Sequence, residues 1–123
     1  MIQALTAWGP AAIWAAVLFL LSEMEPGSGG MWSLVNDKVA HLGLYGILGA
    51  ALAWGAHRNR RPVSLLYLVL AGLAYGALDE WHQSFVPGRT PSAGDLLADA
   101  AGVILGVWFS RLLLTRRPWK GER

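Results

Sequence analysis

Four apolar runs, separated by short polar or glycine-rich connections, organise the chain. They predict helices over about 5–21, 36–56, 63–83 and 92–114. Each run is close to the roughly 20 residues that an α-helix needs to cross a bilayer. Prolines and glycines interrupt the pattern between the later runs, most clearly at Pro87-Gly88. We therefore expect an all-α, polytopic membrane protein in which residues 1–123 form a single domain of four transmembrane helices.

The composition agrees with a membrane location. Apolar residues make up 54% and charged residues 15% of the 123 residues, whereas a soluble domain carries about 25% charged residues. The chain has no cysteine, which excludes disulfide bonds and thiolate metal sites. The isoelectric point near 9.4 could suit nucleic acid, but the basic residues are grouped as topology signals, so we expect no nucleic-acid partner.

The positive charges predict the orientation in the membrane. Of the 10 lysines and arginines, all but Lys38 and Arg89 fall in the second connection or towards the C-terminus, from Arg111 onward. The positive-inside rule then places both termini in the cytoplasm (N-in/C-in) and the first and third connections outside. We expect the first run to be a retained helix, because no basic residue precedes it and no small-residue cleavage pattern follows it.

Polar residues gather at the ends of three predicted helices, all of which this topology places at the outer boundary. The candidate site residues are Asp37, Lys38, His41, Tyr45, Asp79, Glu80, His82, Gln83, Arg89, Asp95 and Asp99. Spacing places Asp37, His41 and Tyr45 on one face of helix two. It places Asp79, His82 and Gln83 on one face of helix three. Ionisable groups at the edge of a hydrocarbon-length segment are unfavourable unless paired, hydrated or functional. We expect them to form one pocket that opens outward.

Structural roles compete with functional ones for these residues. Lys38 and Arg89 could simply neutralise neighbouring acids. Asp95 could be a helix cap, since it follows Ser92 with capping-box spacing, and Ser33 or Asn36 could cap helix two. His41 and Tyr45 could be hydrogen-bonded core groups, which is the commoner role on a buried face.

The charge balance favours a ligand. The candidate pocket has five carboxylates but only two basic residues, Lys38 and Arg89. Three explanations stay open for the three carboxylates in excess: they face water, share protons, or hold a cation. Carboxylates with His41 and His82 are suitable ligands for a divalent metal, although no fixed metal motif such as H-E-x-x-H is present. A metal cofactor therefore stays an open prediction.

The motifs resemble those of a known family. They are Asp37-Lys38-x-x-His41-x-x-x-Tyr45, Asp79-Glu80-x-His82-Gln83-x-Phe85-Val86-Pro87-Gly88-Arg89 and Asp95-x-x-x-Asp99-x-x-Gly102. In this order they resemble the VanZ-like family of small bacterial membrane proteins. The resemblance implies a location in the bacterial cytoplasmic membrane and an association with reduced susceptibility to teicoplanin. One departure is visible, because Asp99 stands where the family usually has asparagine.

Two functions are consistent with these residues. In the first, Lys38 and Arg89 bind the phosphate of an envelope lipid or lipid-linked cell-wall precursor, while the acids and Gln83 contact its sugar or amine groups.

The alternative is a membrane enzyme, a hydrolase or transferase that could be metal-assisted. Glu80 or Asp79 would act as base or metal ligand, and His41 or His82 as acid/base. Arg89 would stabilise the phosphoryl charge. A transporter has less support, because the polar residues stay at one membrane face. The sequence predicts no oligomeric state.

Overall fold

The computed structural model describes residues 1–22, 31–59, 63–88 and 92–116, with the backbone alone for 31–36 and 115–116. Its four α-helices are α1 (Ile2–Ser22), α2 (Met31–Arg58), α3 (Leu65–Gln83) and α4 (Ala93–Arg116). These described ranges contain no β-strand. The all-α prediction is therefore confirmed. Three helices, α1, α2 and α4, are long and apolar enough to cross a membrane, whereas α3 is shorter, with 19 residues.

The start of α2 differs most from the prediction. The helix begins at Met31, although the sequence pattern placed its start near Asn36 and a loop as far as Ser33. Both of these predicted caps therefore lie inside the helix. The physical reason is that residues 31–36 contain no proline or glycine, so nothing in this stretch breaks a helix. The remainder of the predicted first loop, residues 23–30, lies outside the described residues.

The other helix ends lie within three residues of the predicted ones. Ser64 is the N-cap of α3, and its side chain accepts a hydrogen bond from the Leu66 N–H at 3.2 Å. In α1 the helix begins at Ile2 rather than near residue 5, which places Pro10 well inside the helix. Because proline has no N–H, the Thr6 carbonyl lacks its usual intrahelical donor there. In the connection after α3, Gly88 has a φ of 79°, which agrees with the predicted Pro87-Gly88 turn.

The four helices form an up-down-up-down bundle in which α2 contacts the other three. The α1 helix is antiparallel to α2, because Gln3 near its start donates to the Arg58 carbonyl (3.3 Å) and Trp14 donates to the Leu44 carbonyl (2.8 Å). The α3 helix is antiparallel to α4, since Gly72 faces Val103 and the end of α3 meets the start of α4. The starts of α2 and α4 and the ends of α1 and α3 therefore share one end of the bundle.

A seam of glycines brings α2 and α4 into backbone contact. A Cβ atom added to Gly102 would collide with the Leu42 carbonyl, and one added to Gly106 would collide with the Gly46 carbonyl. The residue numbers rise together in these two contacts, so α2 and α4 run parallel to each other. These small residues let the two helices pack closely against each other.

The outward faces of the bundle are apolar. Large hydrophobic side chains are more than half exposed on all four helices, among them Ile13, Val39, Tyr67 and Leu105. A soluble monomer rarely exposes apolar surface on this scale, whereas lipid chains solvate it well. Together with the three bilayer-length helices, this surface indicates a membrane protein.

Candidate functional site

The end of the bundle where α2 and α4 begin carries all the acidic residues of the described ranges. We call the following group the polar cluster: Asp37, Lys38, His41, Tyr45, Asp79, Glu80, Gln83, Asp95 and Asp99. The arginines whose side chains are described, Arg58 and Arg111, lie towards the opposite ends of α2 and α4. The bundle is therefore charged asymmetrically along its axis, with its acids at one end.

His41 and Asp99 form the deepest contact in the polar cluster. Asp99 is 1% exposed and His41 is 7% exposed, and Nδ1 of the histidine lies 2.6 Å from Oδ1 of the aspartate. Because a carboxylate oxygen is an acceptor, the proton of this hydrogen bond belongs on Nδ1. The other ring nitrogen, Nε2, then points to Oδ1 of Asp37 at 3.7 Å and Oδ2 of Asp95 at 4.0 Å.

Lys38 forms an ion pair with Asp95 across the α2–α4 seam. Its Nζ contacts Oδ1 of Asp95 and donates to the Ser92 hydroxyl at 3.2 Å. Gly94 makes room for the lysine, because a Cβ there would lie 3.1 Å from the lysine Cε. The lysine side chain is 39% exposed while that of its partner is 7% exposed. The cluster is thus partly exposed at Lys38 and buried at Asp95.

The start of α4 is capped from two sides. The Ser92 hydroxyl accepts a hydrogen bond from the Asp95 N–H at 3.3 Å, which is the serine half of the predicted capping box. The carboxylate that accepts from the Ser92 N–H, at 3.0 Å, is Oε2 of Glu80 on α3. The Asp95 carboxylate therefore pairs with Lys38. Glu80 accepts the hydrogen bond from the Ser92 N–H that a capping box would assign to Asp95.

Asp79 joins α3 to α2. Its Oδ2 accepts a hydrogen bond from the Tyr45 hydroxyl at 2.9 Å and a second, longer one from Gln83 Nε2 at 3.4 Å. Gly76 brings this pair close to Asp99: a Cβ at the glycine would lie 3.4 Å both from Tyr45 Cε1 and from Asp99 Oδ2. The contacts of α2 with α3 and with α4 thus belong to one continuous cluster.

Three carboxylate oxygens in the cluster are buried without a hydrogen-bond partner among the described residues. They are Oδ1 of Asp79, Oε1 of Glu80 and Oδ2 of Asp99. Buried polar atoms are nearly always satisfied. The cluster also has five carboxylates and one lysine in the described ranges. The arrangement can therefore accept hydrogen bonds from a bound molecule or coordinate a cation.

Two predicted site residues are not placed in the cluster. His82 is turned to α1, where its Nδ1 lies 3.3 Å from the Ser22 hydroxyl and its ring centroid 4.5 Å from that of Phe19. Arg89 lies outside the described residues. The expectation that His82 shares the pocket with His41 therefore does not match its position in the structure. Ser22 is a neighbour that sequence reasoning missed, because it ends an apolar run with no motif around it.

The cluster contains two groups of side chains suited to a metal ion. One consists of Asp37, His41 and Asp95, and the other of His41, Glu80 and Asp99. Within each group, one ligand atom per residue lies within 4.8 Å of the others. Both groups share His41, which places this histidine at the centre of any cation chemistry here.

The chain is similar to known proteins. The chain is 30% identical over 83 residues to Uncharacterized protein C11E3.10 of Schizosaccharomyces pombe, an alignment that covers 68% of this chain and 51% of that protein. The chain thus spans about half the length of this curated relative. No solved structure matches this chain. A model of the family described as VanZ/LLP1 matches residues 5–114, a range that includes nearly all of the four helices and the whole polar cluster. The chain therefore belongs to the VanZ/LLP1 family.

Proposed function

We propose that this protein spans the bacterial cytoplasmic membrane several times, with both termini inside and the polar cluster facing outward. In this position the cluster binds the headgroup of a phosphate-bearing envelope lipid or lipid-linked cell-wall precursor. The orientation is supported by the two ends of the bundle, since the acids gather at one and the arginines Arg58 and Arg111 lie towards the other.

The observation that carries this proposal is the set of buried carboxylate oxygens without partners on Asp79, Glu80 and Asp99. Oxygens of this kind accept hydrogen bonds, so they suit the hydroxyl and amine groups of a headgroup. The ammonium of Lys38 is partly exposed above them and suits a phosphate at the membrane surface. Arg89, which lies outside the described residues, is proposed as a second phosphate contact.

The family resemblance extends the proposal to antibiotics. Members of the VanZ-like family are associated with reduced teicoplanin susceptibility, and we propose the same effect for this chain, acting through the bound lipid or precursor. The catalytic roles predicted for Glu80, His41 and Asp79 stay predictions. Conversion of the bound lipid by the purified protein would support them.

Native mass spectrometry of the full-length protein in detergent tests the binding proposal. We expect the parent to carry a lipid with a phosphate-bearing headgroup, and Lys38→Ala to lose most of it. Arg111→Ala is the matched control, because it removes one positive charge from the other end of the bundle. Equal lipid occupancy in the parent and in Lys38→Ala would contradict the proposal.

Susceptibility assays test the cellular effect. In a sensitised host, we expect Glu80→Gln and Arg89→Ala each to abolish any protection against teicoplanin. Membrane levels of the variants are matched to the parent by immunoblot. Protection that is unchanged in both variants would show that the cluster has only a structural role.

A further inference from the structure

The two ring nitrogens of His41 have different surroundings. Nδ1 is bound to the buried carboxylate of Asp99 at 2.6 Å. Histidines that ligate metals nearly always donate their other N–H to a carboxylate, carbonyl or water, which fixes the tautomer and the ring orientation. Asp99 therefore holds His41 with Nε2 available as a ligand atom.

Two carboxylates from different helices face this nitrogen. Oδ1 of Asp37 lies 3.7 Å and Oδ2 of Asp95 lies 4.0 Å from Nε2 of His41. Ligand atoms about 2.0–2.1 Å from a tetrahedral zinc ion are about 3.3 Å from one another. Each of the two carboxylate oxygens would need to move roughly half an ångström closer to Nε2 to bind such an ion.

Glu80 supplies an independent indication of a ligand. Its side chain is buried, with the residue 8% exposed, and Oε1 has no partner among the described residues. Oε2 is held by the Ser92 N–H at 3.0 Å, which fixes the carboxylate beside the start of α4. Glu80 also belongs to the second group around His41, whose ligand atoms lie within 4.8 Å of one another. A buried carboxylate oxygen held at this position needs a cation or a donor.

The local charges point to a divalent cation. Besides Asp99, three carboxylates lie around His41: those of Asp37 and Asp95 face Nε2, and that of Glu80 belongs to the second group. Among the described residues, Lys38 is the lysine that pairs with this set, through Asp95. A divalent ion together with the lysine ammonium would balance the three negative charges. Buried charges without such compensation are strongly unfavourable.

We infer that the polar cluster binds one divalent metal ion of the zinc class, with Nε2 of His41 and the carboxylates of Asp37 and Asp95 as ligands. Glu80 is the neighbouring carboxylate, and Asp99 is a positioning residue that acts through the histidine. An imidazole ligand favours such metals over magnesium and calcium. This inference goes beyond lipid binding and does not depend on it.

Metal titration of the purified full-length protein tests the inference. The protein in detergent is stripped with a chelator and titrated with Co²⁺, whose visible absorption reports coordination, and Zn²⁺ is then added as a competitor. We expect about one equivalent of Co²⁺ to bind and Zn²⁺ to displace it. Asp37→Asn and His41→Gln should each weaken binding at least about 10-fold.

Two controls accompany the titration: a variant of a histidine outside the cluster, and a check that the ligand variants are folded. His57→Gln alters a histidine towards the other end of α2 and should bind Co²⁺ like the parent. Asp37 has a side chain that is 39% exposed, so Asp37→Asn should keep the circular dichroism spectrum of the parent and remain informative if His41→Gln unfolds. Absence of Co²⁺ binding by the parent, or equal affinity of the parent and Asp37→Asn, would overturn the inference. Lipid occupancy measured in the same samples separates this outcome from failure of the lipid proposal.

Discussion

Oε2 of Glu80, in the last turn of α3, accepts a hydrogen bond from the backbone N–H of Ser92, which precedes α4, at 3.0 Å. One carboxylate thus links the end of one helix to the start of the next. The first N–H groups of a helix need acceptors from outside it, and here α3 supplies one for α4. This arrangement leaves Asp95 available for Lys38 and makes the start of α4 dependent on α3.

Replacing Glu80 should reveal this dependence. We expect Glu80→Ala to destabilise the protein by about 1–2 kcal/mol, because the Ser92 N–H loses its acceptor. Glu80→Gln should have a smaller effect, since its amide oxygen can still accept. The measurement is reversible unfolding in detergent, followed by circular dichroism. Equal destabilisation by the two variants would mean that charge, rather than the hydrogen bond, matters at this position.

Tyr45→Phe tests the link between α2 and α3. The hydroxyl of Tyr45 donates to Asp79 at 2.9 Å, so its removal leaves a buried carboxylate with one long hydrogen bond from Gln83. We expect a loss of about 1–3 kcal/mol in the free energy of unfolding. Tyr67→Phe is the matched control, because this tyrosine is 68% exposed and should change stability little. A double-mutant cycle with Asp79→Asn should show a coupling above about 0.5 kcal/mol, and additivity would contradict the contact.

Alanine substitutions at two glycines should have opposite effects. Gly106→Ala places a methyl group against the Gly46 carbonyl, which forces α2 and α4 apart and should destabilise the protein by about 1–3 kcal/mol. Gly43→Ala has no atom within 4 Å of the new methyl group and should stabilise α2 by up to about 1 kcal/mol through helix propensity. Thermal unfolding of the two variants side by side checks this. Similar shifts in the same direction would argue against the seam.

Asp99→Asn introduces the residue that VanZ-like proteins usually have at this position. The amide oxygen can still accept from Nδ1 of His41, so we expect the fold to persist. The neutral amide makes the imidazole a weaker ligand, and Co²⁺ affinity should fall about 10-fold. Asp79→Asn, which alters an acid outside the proposed metal ligands, should keep the parent's affinity. An unchanged affinity in Asp99→Asn would remove Asp99 from the proposed role.

Cysteine labelling tests the orientation. The chain has no native cysteine, so each introduced thiol reports one position. In intact cells, a membrane-impermeant maleimide should label Ser84→Cys, which lies beside the polar cluster at the end of α3. It should label His57→Cys, near the opposite end of the bundle, only after the membrane is permeabilised. The reverse pattern would place the polar cluster in the cytoplasm.

Several features of the fold could be predicted because a bilayer imposes them. Four apolar runs of near-bilayer length indicate four helices, and short connections make neighbouring helices antiparallel. It follows that the starts of α2 and α4 lie beside the end of α3, where the structure has the polar cluster. The N-terminus of α2 could not be located in this way. Residues 31–36 contain no proline or glycine to mark a helix boundary, and helix propensity alone is a weak guide there.

The neighbours of individual side chains were harder to predict. Successive residues on a helix are about 100° apart, so one turn of α3 can face three helices. Asp79 meets α2, Glu80 meets the start of α4, and His82 meets α1. Spacing grouped Asp79 and His82 on one face, but it carries no information about which helix stands opposite each of them. The same limit applies to the contact between Glu80 and Ser92, which no helical periodicity relates.

The glycine seam limits how the protein can move. Backbone atoms contact backbone atoms where Gly102 meets Leu42 and where Gly106 meets Gly46. At these contacts no side chain can change rotamer to let the two helices slide. We therefore expect α2 and α4 to behave as one rigid plate that carries His41 and Asp99 at a constant separation. Any opening and closing during ligand entry would fall to α1 and α3, whose contacts with this plate include side chains, such as Trp8 against Gly55 and Val103 against Gly72.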